Sequence, residues 1–412
     1  MRNRSNRYNN DLLCVSRVLV LLVLVALVPG CITARREQTP STGLWSRPEL
    51  WSPPKASWGS STGLVQELYY EGEPLNGKPT RVFAYLGRPS NPSHSKLPAM
   101  VLVHGGGGKA FSAWAEHWAR QGYVALAMDL SGNGPNGRLP DGGPDQSDQV
   151  KFQNFTFTTA TGMWTYHAVA AVLRGHSLLR SLPEVDPDRV GFTGISWGGY
   201  LTCIIAGVDH RFKVAVPVYG CGFLGDNSVW TDKSLAQMKP EARELWLKLF
   251  DPSQYLSNVH CPILFVNGTT DFAYPLDSYQ KSYRLVPSKF RHISVAVNRP
   301  HGHIWTFPEV DVFVASVLKS EPAPVRIDAV GEKAGRLSAK LNLAVRPKKA
   351  ELCYTTNTGV WQKRMWQTIP AQIKGKEISA KLPKERPLVA FLSITDNENA
   401  YFSSEHVELP TK

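Results

Sequence analysis

The sequence predicts a doubly wound α/β domain with a mainly parallel sheet, followed by a small C-terminal β-sandwich domain. Short continuous apolar runs alternate with helix-length segments from residue 99 to about residue 318, and strands of that kind are buried on both faces. Beyond Pro322-Ala323-Pro324 the pattern changes to period-two segments separated by turn residues. With 412 residues, 42% of them apolar and 10% aromatic, the chain can fill one large core and one small one.

Arg2, Arg4, Arg7 and Arg17 precede an apolar run from Val18 to Val28. That is the basic flank and short apolar stretch of a secretory signal, too short to span a bilayer. Val28-Pro29-Gly30-Cys31 closes it and is similar to a bacterial lipoprotein cleavage site, at which Cys31 would be the lipidated first residue. The expectation is a signal segment over 1–31 and an exported protein, periplasmic or at the cell surface, either attached to the membrane through the lipid or processed by ordinary signal cleavage, with an uncleaved anchor as a further alternative. Residues 32–63 have the Pro, Ser and Thr content of a linker.

The catalytic domain is expected over 64–320. It opens with a hairpin, residues 65–70 and 80–86, around Leu75-Asn76-Gly77-Lys78. Apolar runs at 99–103, 123–128, 189–193, 214–218, 262–267 and 293–298 supply the remaining strands. Helices are expected over 113–121, 162–182, 199–207, 276–285 and 310–318. An amphipathic helix over 240–250 interrupts the alternation and reads equally as a lid or as a surface packing helix. The accessory domain, 321–412, contains Trp361 and Trp366, read as aromatic core or as a sugar-stacking surface.

The net charge of +12 comes from cations scattered among anions rather than from Lys/Arg blocks. This argues against nucleic acid as a partner. Cys203, Cys221, Cys261 and Cys353 lack Cys-x-x-Cys spacing and read as buried thiols; no metal site is expected.

Ser196 lies in Gly194-Ile195-Ser196-Trp197-Gly198, between an apolar strand and a helix-like run. Glycines on both sides permit the strained turn that exposes a serine nucleophile. Gly59-Ser60-Ser61-Thr62-Gly63 fits the same pattern but follows Pro53-Pro54 in the expected linker, so Ser61 is a decoy. A serine hydroxyl needs a base, and the base needs an acid to fix its tautomer. Both should lie beyond strand C-termini. Asp271 follows one strand and His301 the next, in the order Ser, Asp, His. His303 is the alternative base, Asp226 the alternative acid, and a turn-capping role for Asp271 stays open. The oxyanion is expected to be held by the amides of Gly106 or Gly107, in His104-Gly105-Gly106-Gly107-Gly108, together with that of Trp197. His104 itself reads as structural.

With these motifs, residues 64–320 resemble the α/β-hydrolase superfamily, in its dienelactone hydrolase, acetylxylan esterase and prolyl-oligopeptidase-like branch. The glycine loop, Gly194-Ile195-Ser196-Trp197-Gly198-Gly199-Tyr200, Asn267-Gly268-Thr269-Thr270-Asp271 and Pro300-His301-Gly302-His303 carry the resemblance. It implies cleavage of an ester or amide through an acyl-enzyme, with no cofactor. The leading expectation is a carboxylic ester hydrolase acting on a small-molecule or polysaccharide ester, such as acetylated xylan. The alternative is a prolyl-oligopeptidase-like serine peptidase, and a third reading is a noncatalytic surface-binding protein that keeps the fold.

Overall fold

A computed structural model describes residues 43–90, 95–342 and 347–411. The expected signal segment and Cys31 lie outside these residues. The chain begins its central sheet with three antiparallel strands, β1 (Ala56–Thr62), β2 (Val65–Glu71) and β3 (Arg81–Gly87). The strands β4 (Leu97–Val103), β5 (Val124–Met128), β6 (Val185–Ile195), β7 (Val214–Val218), β8 (Ile263–Gly268) and β9 (Arg291–Ala296) follow. Their order is β1-β2-β3-β5-β4-β6-β7-β8-β9, parallel from β5 to β9.

The hairpin between β2 and β3 is as expected, with Asn76 and Gly77 at positive φ in its turn. The linker reading of 32–63 fails over its described part. Trp45 and Leu50 are fully buried, and β1 pairs with β2 across the two-residue loop Gly63-Leu64. β1 is an edge strand whose residues are mostly exposed, so it has no apolar alternation to betray it. Ser61 lies exposed within that strand.

Among the described residues six α-helices are longer than four residues: α1 (Ser112–Arg120), α2 (Trp164–Ser181), α3 (Trp197–Val208), α4 (Pro240–Phe250), α5 (Leu276–Leu285) and α6 (Pro308–Leu318). Every residue of α3 is buried, which is why its sequence is apolar all round. The inserted α4 turns out to be a packing helix. It buries Ala242, Trp246, Leu249 and Phe250, and the Trp246 indole N–H donates to the Lys151 carbonyl at 2.9 Å.

The C-terminal strands are β10 (Arg326–Lys333), β11 (Arg336–Asn342), β12 (Pro347–Thr355), β13 (Gln367–Pro370), β14 (Gln372–Lys374), β15 (Glu377–Lys381), β16 (Leu388–Asp396), β17 (Tyr401–Ser403) and β18 (Val407–Leu409). They form two antiparallel sheets, ordered β10-β11-β15-β14 and β13-β12-β16-β17, with β18 also paired to β16. This β-rich region covers the open edge of the central sheet. The Val295 N–H of β9 donates to Ser403 Oγ at 2.9 Å, and Gln280 Nε2 of α5 to the His406 carbonyl at 2.8 Å. Trp361 and Trp366 are buried, against His406 and Phe391 respectively, so they are core rather than a sugar platform. The four cysteines are buried free thiols.

Candidate active site

The site lies beyond the C-terminal ends of β4, β6, β8 and β9. Ser196, directly after β6, has φ +61° and ψ −116°, a conformation costly for a residue with a side chain. Its N–H donates to the Val218 carbonyl at 2.8 Å, which anchors the strained turn to the end of β7. The turn is also pressed against backbone. A Cβ on Gly194 would lie 2.5 Å from the Gly198 carbonyl oxygen, and one on Gly198 only 2.3 Å from that of Val103. The glycine pattern is therefore a packing requirement as well as a conformational one.

His301 Nδ1 lies 2.6 Å from Asp271 Oδ2, and the carboxylate can only accept, so Nδ1 carries the proton. The other carboxylate oxygen, Oδ1, accepts the N–H groups of Ala273 and Tyr274 at 2.9 and 2.8 Å. Asp271 thus caps its turn and orients the imidazole at once, and the two readings of this residue merge. The His301 ring stacks on Tyr219 at 4.5 Å, and Phe272 lies 4.8 Å away. The Tyr219 hydroxyl donates to the Pro300 carbonyl at 2.8 Å, tying the histidine loop to β7.

The two alternatives separate cleanly. Asp226 is paired with Lys281 at 2.8 Å instead of with a histidine. His303 has no carboxylate; its Nε2 is buried without a partner, and burial together with His301 and His104 lowers its pKa. It packs over Gly105, where an added Cβ would lie 2.2 Å from His303 Nε2 and 2.8 Å from Ser196 Cβ. Among the described residues neither the Ser196 hydroxyl nor His301 Nε2 has a hydrogen-bond partner, so the contact between them is not made in this state. Such contacts commonly tighten only around substrate.

The glycine loop reaches the elbow because β4 and β6 are parallel neighbours, with Val103 opposite Gly194. His104 fixes the loop from below. Its Nε2 accepts the Leu130 N–H at 2.9 Å, so Nδ1 bears the proton and donates to the Gly105 carbonyl at 2.8 Å. Gly107 has φ +68°, and a Cβ on Gly106 would lie 2.8 Å from the Trp197 ring. The N–H groups of Gly106 and Gly107 donate to no backbone acceptor among the described residues. Trp197 opens α3, where an N–H has no intrahelical acceptor. The N–H groups expected to hold the oxyanion are thus left without backbone acceptors among the described residues.

Several contributors were not foreseen. The Trp197 indole, only 3% exposed, is enclosed by Trp230 at 4.5 Å, Trp164 at 5.7 Å and Phe152 at 5.9 Å. Lys151 Nζ sits 4.2 Å from its ring centroid and pairs with Asp148 at 2.9 Å; burial lowers the ammonium pKa. The three-residue spacing of Asp148 and Lys151 is legible, but nothing local in the sequence announces the ring they meet. Among the described residues no group of three or more His, Cys, Asp or Glu side chains could hold a metal ion.

The sequence is 32% identical over 109 residues to the uncharacterized peptidase YuxL of Bacillus subtilis (strain 168), covering 24% of this chain and 16% of that protein. It is 21% identical over 255 residues to the acetyl esterase Axe7A of Xylanibacter ruminicola, 58% of this chain and 56% of that protein. The chain therefore spans 56% or less of the length of these curated relatives. Acetyl xylan esterase 1 from Thermoanaerobacterium sp. JW/SL YS485 shares the fold, with a TM-score of 0.53 and 20% identity, over 68% of this chain and 94% of that one. The sequence model of the dienelactone hydrolase family matches residues 82–298, from β3 to just past β9, and takes in the glycine loop, the elbow and Asp271. On that match the chain belongs to the dienelactone hydrolase family, as a hydrolase with the α/β-hydrolase fold.

Proposed function

We propose that the protein is an exported serine hydrolase that cleaves carboxylic esters through an acyl-enzyme and removes acetyl groups from a polysaccharide such as xylan. The observation that carries the serine mechanism is the 2.6 Å contact of His301 with Asp271, on the loops after the two strands beyond the Ser196 elbow. Ser196 Oγ attacks the ester carbonyl while His301 Nε2 takes its proton, and Asp271 stabilises the imidazolium. The negative oxygen is met by the amides of Trp197 and Gly106 or Gly107. Collapse of the adduct expels the alcohol, which takes the proton from His301. Water, deprotonated by the same histidine, then releases acetate and restores Ser196.

The acetyl reading is supported by the likeness to an acetyl esterase and by the fold shared with an acetyl xylan esterase. Export rests on the arginines and apolar run before Cys31. The 32% identity to a peptidase favours amide cleavage as a second reading. Nitrophenyl esters of increasing acyl length, assayed beside a proline-containing peptide anilide, separate the two. Acetate turned over fastest, with loss of rate in Ser196→Ala, is the expected result. Anilide cleavage with weak ester turnover would replace it with a peptidase.

A further inference from the structure

Beside the glycine loop lies a cavity of about 520 Å³, bounded by Gly106, Gly107 and Trp197 and by Asn133, Asp145 and Gln146 across from them. Its glycine wall is the loop assigned to the oxyanion, and Trp197, which follows Ser196 directly, is also part of its lining, so the cavity lies next to the nucleophile's turn. Cavities of this size hold small ligands, and those that recognise hydroxyls do so with a few placed polar groups. Gln146 is such a group. It is 8% exposed, its Oε1 takes the Ser131 hydroxyl at 3.3 Å, and its Nε2 donates to nothing among the described residues. A buried amide N–H left without an acceptor costs free energy, which a ligand oxygen would recover once the side chain turns its Nε2 toward the cavity.

The charges sharpen the choice of ligand. Lys151 also lines the cavity, but its ammonium is committed to Asp148 at 2.9 Å. The Asp145 carboxylate makes no ion pair among the described residues, although Arg138 and Lys151 lie near enough to help the Ser147 hydrogen bonds hold its pKa down. Asp145 is held in place by the Ser147 N–H, which it accepts at 2.8 Å. Such a lining accepts hydroxyls and opposes anions, while Trp197 and the glycines give it an apolar wall.

We propose that this cavity is the subsite for the alcohol half of the ester, and that it selects a neutral, hydroxyl-rich sugar ring over an anionic one. The proposal rests on the ester-hydrolase reading above. It assigns Gln146 and Asp145 to substrate selection, away from the bond that breaks.

The test compares kcat/KM for a neutral acetylated xylo-oligosaccharide with that for 4-nitrophenyl acetate, which has no sugar. Loss of one neutral hydrogen bond in Gln146→Ala lowers the ratio of the two by about three- to tenfold. Asp145→Asn keeps the acceptor for Ser147 and removes the charge. It raises kcat/KM for a glucuronate-branched acetylated oligosaccharide, relative to the neutral one, by about threefold. If the wild type deacetylates the oligosaccharide and neither variant shifts its ratio, the subsite is wrong and the ester-hydrolase reading stands. If the wild type cleaves 4-nitrophenyl acetate but no acetylated sugar, both the polysaccharide reading and the subsite fall.

Discussion

Nε2 of His104 accepts the backbone N–H of Leu130 at 2.9 Å, and this bond ties the glycine loop after β4 to the end of β5. It also fixes the tautomer, because the nitrogen that accepts cannot carry the proton. Burial lowers the pKa of this imidazole and keeps it neutral, as an acceptor must be. In the proposed mechanism His104 is therefore a positioning residue, which acts through the loop it holds.

His104→Ala is accordingly expected to lower kcat for 4-nitrophenyl acetate by about 10- to 10²-fold, less than the ~10²–10³ expected for outright loss of an oxyanion donor. KM should change by less than about threefold. A rise in KM at constant kcat would mean that the loop binds ground state and transition state alike.

The histidines of Pro300-His301-Gly302-His303 should differ sharply. His301→Ala removes the base held by Asp271, and a loss of about 10³-fold or more in kcat is expected. Asp271→Asn frees the tautomer and should cost about 10²- to 10⁴-fold. His303→Ala, which removes a ring with no carboxylate, should cost less than about tenfold. Steady-state kinetics on one nitrophenyl ester, with each variant checked for native circular dichroism, decides the assignment; a larger loss in His303→Ala would reverse it.

Much of this arrangement was legible in the sequence because the parallel strands are buried on both faces and so appear as continuous apolar runs. The elbow, the glycine loop, Asp271 and His301 each follow such a run, and strand order alone brings them together. What stayed hidden depends on contacts between distant segments. β1 has no buried face, so its Ser- and Gly-rich sequence resembled linker until Trp45 and Leu50 were seen packed in the core. Nothing near Trp197 in the sequence shows that Trp230 and Lys151, from other segments, enclose its ring. The choice between His301 and His303 needed the position of one carboxylate, which spacing does not give.

Glycines near the nucleophile should divide by what a methyl group meets. At Gly199 it would lie 2.3 Å from the Val218 carbonyl oxygen, a backbone atom that cannot swing away. Gly199→Ala is expected to cost about 3 kcal/mol or more of stability. At Gly107 nothing lies within 4 Å, and only the positive φ is penalised, so Gly107→Ala should cost about 1–2 kcal/mol. Urea unfolding midpoints in that order would support the close approach of α3 to β7; equal midpoints would contradict it.

Acid should begin to destabilise the fold above the range in which carboxylates titrate. Burial pulls the imidazole pKa of both His167 and His292 down to about 4, and Arg326 adds to the effect at His292. Between about pH 6.5 and pH 4 the unfolded chain binds protons that the folded chain refuses, so lowering pH favours unfolding in that window. Above about pH 6.5 both states are neutral at these positions and the effect vanishes. His292 is a suitable probe, since its Nδ1 has no hydrogen-bond partner and its ring packs 4.8 Å from Phe313. The wild type should lose urea resistance steadily from pH 7 to pH 4.5, and His292→Leu, which has no proton to gain, should lose less over the same interval. Parallel declines in the two proteins would show that His292 takes up its proton as readily folded as unfolded.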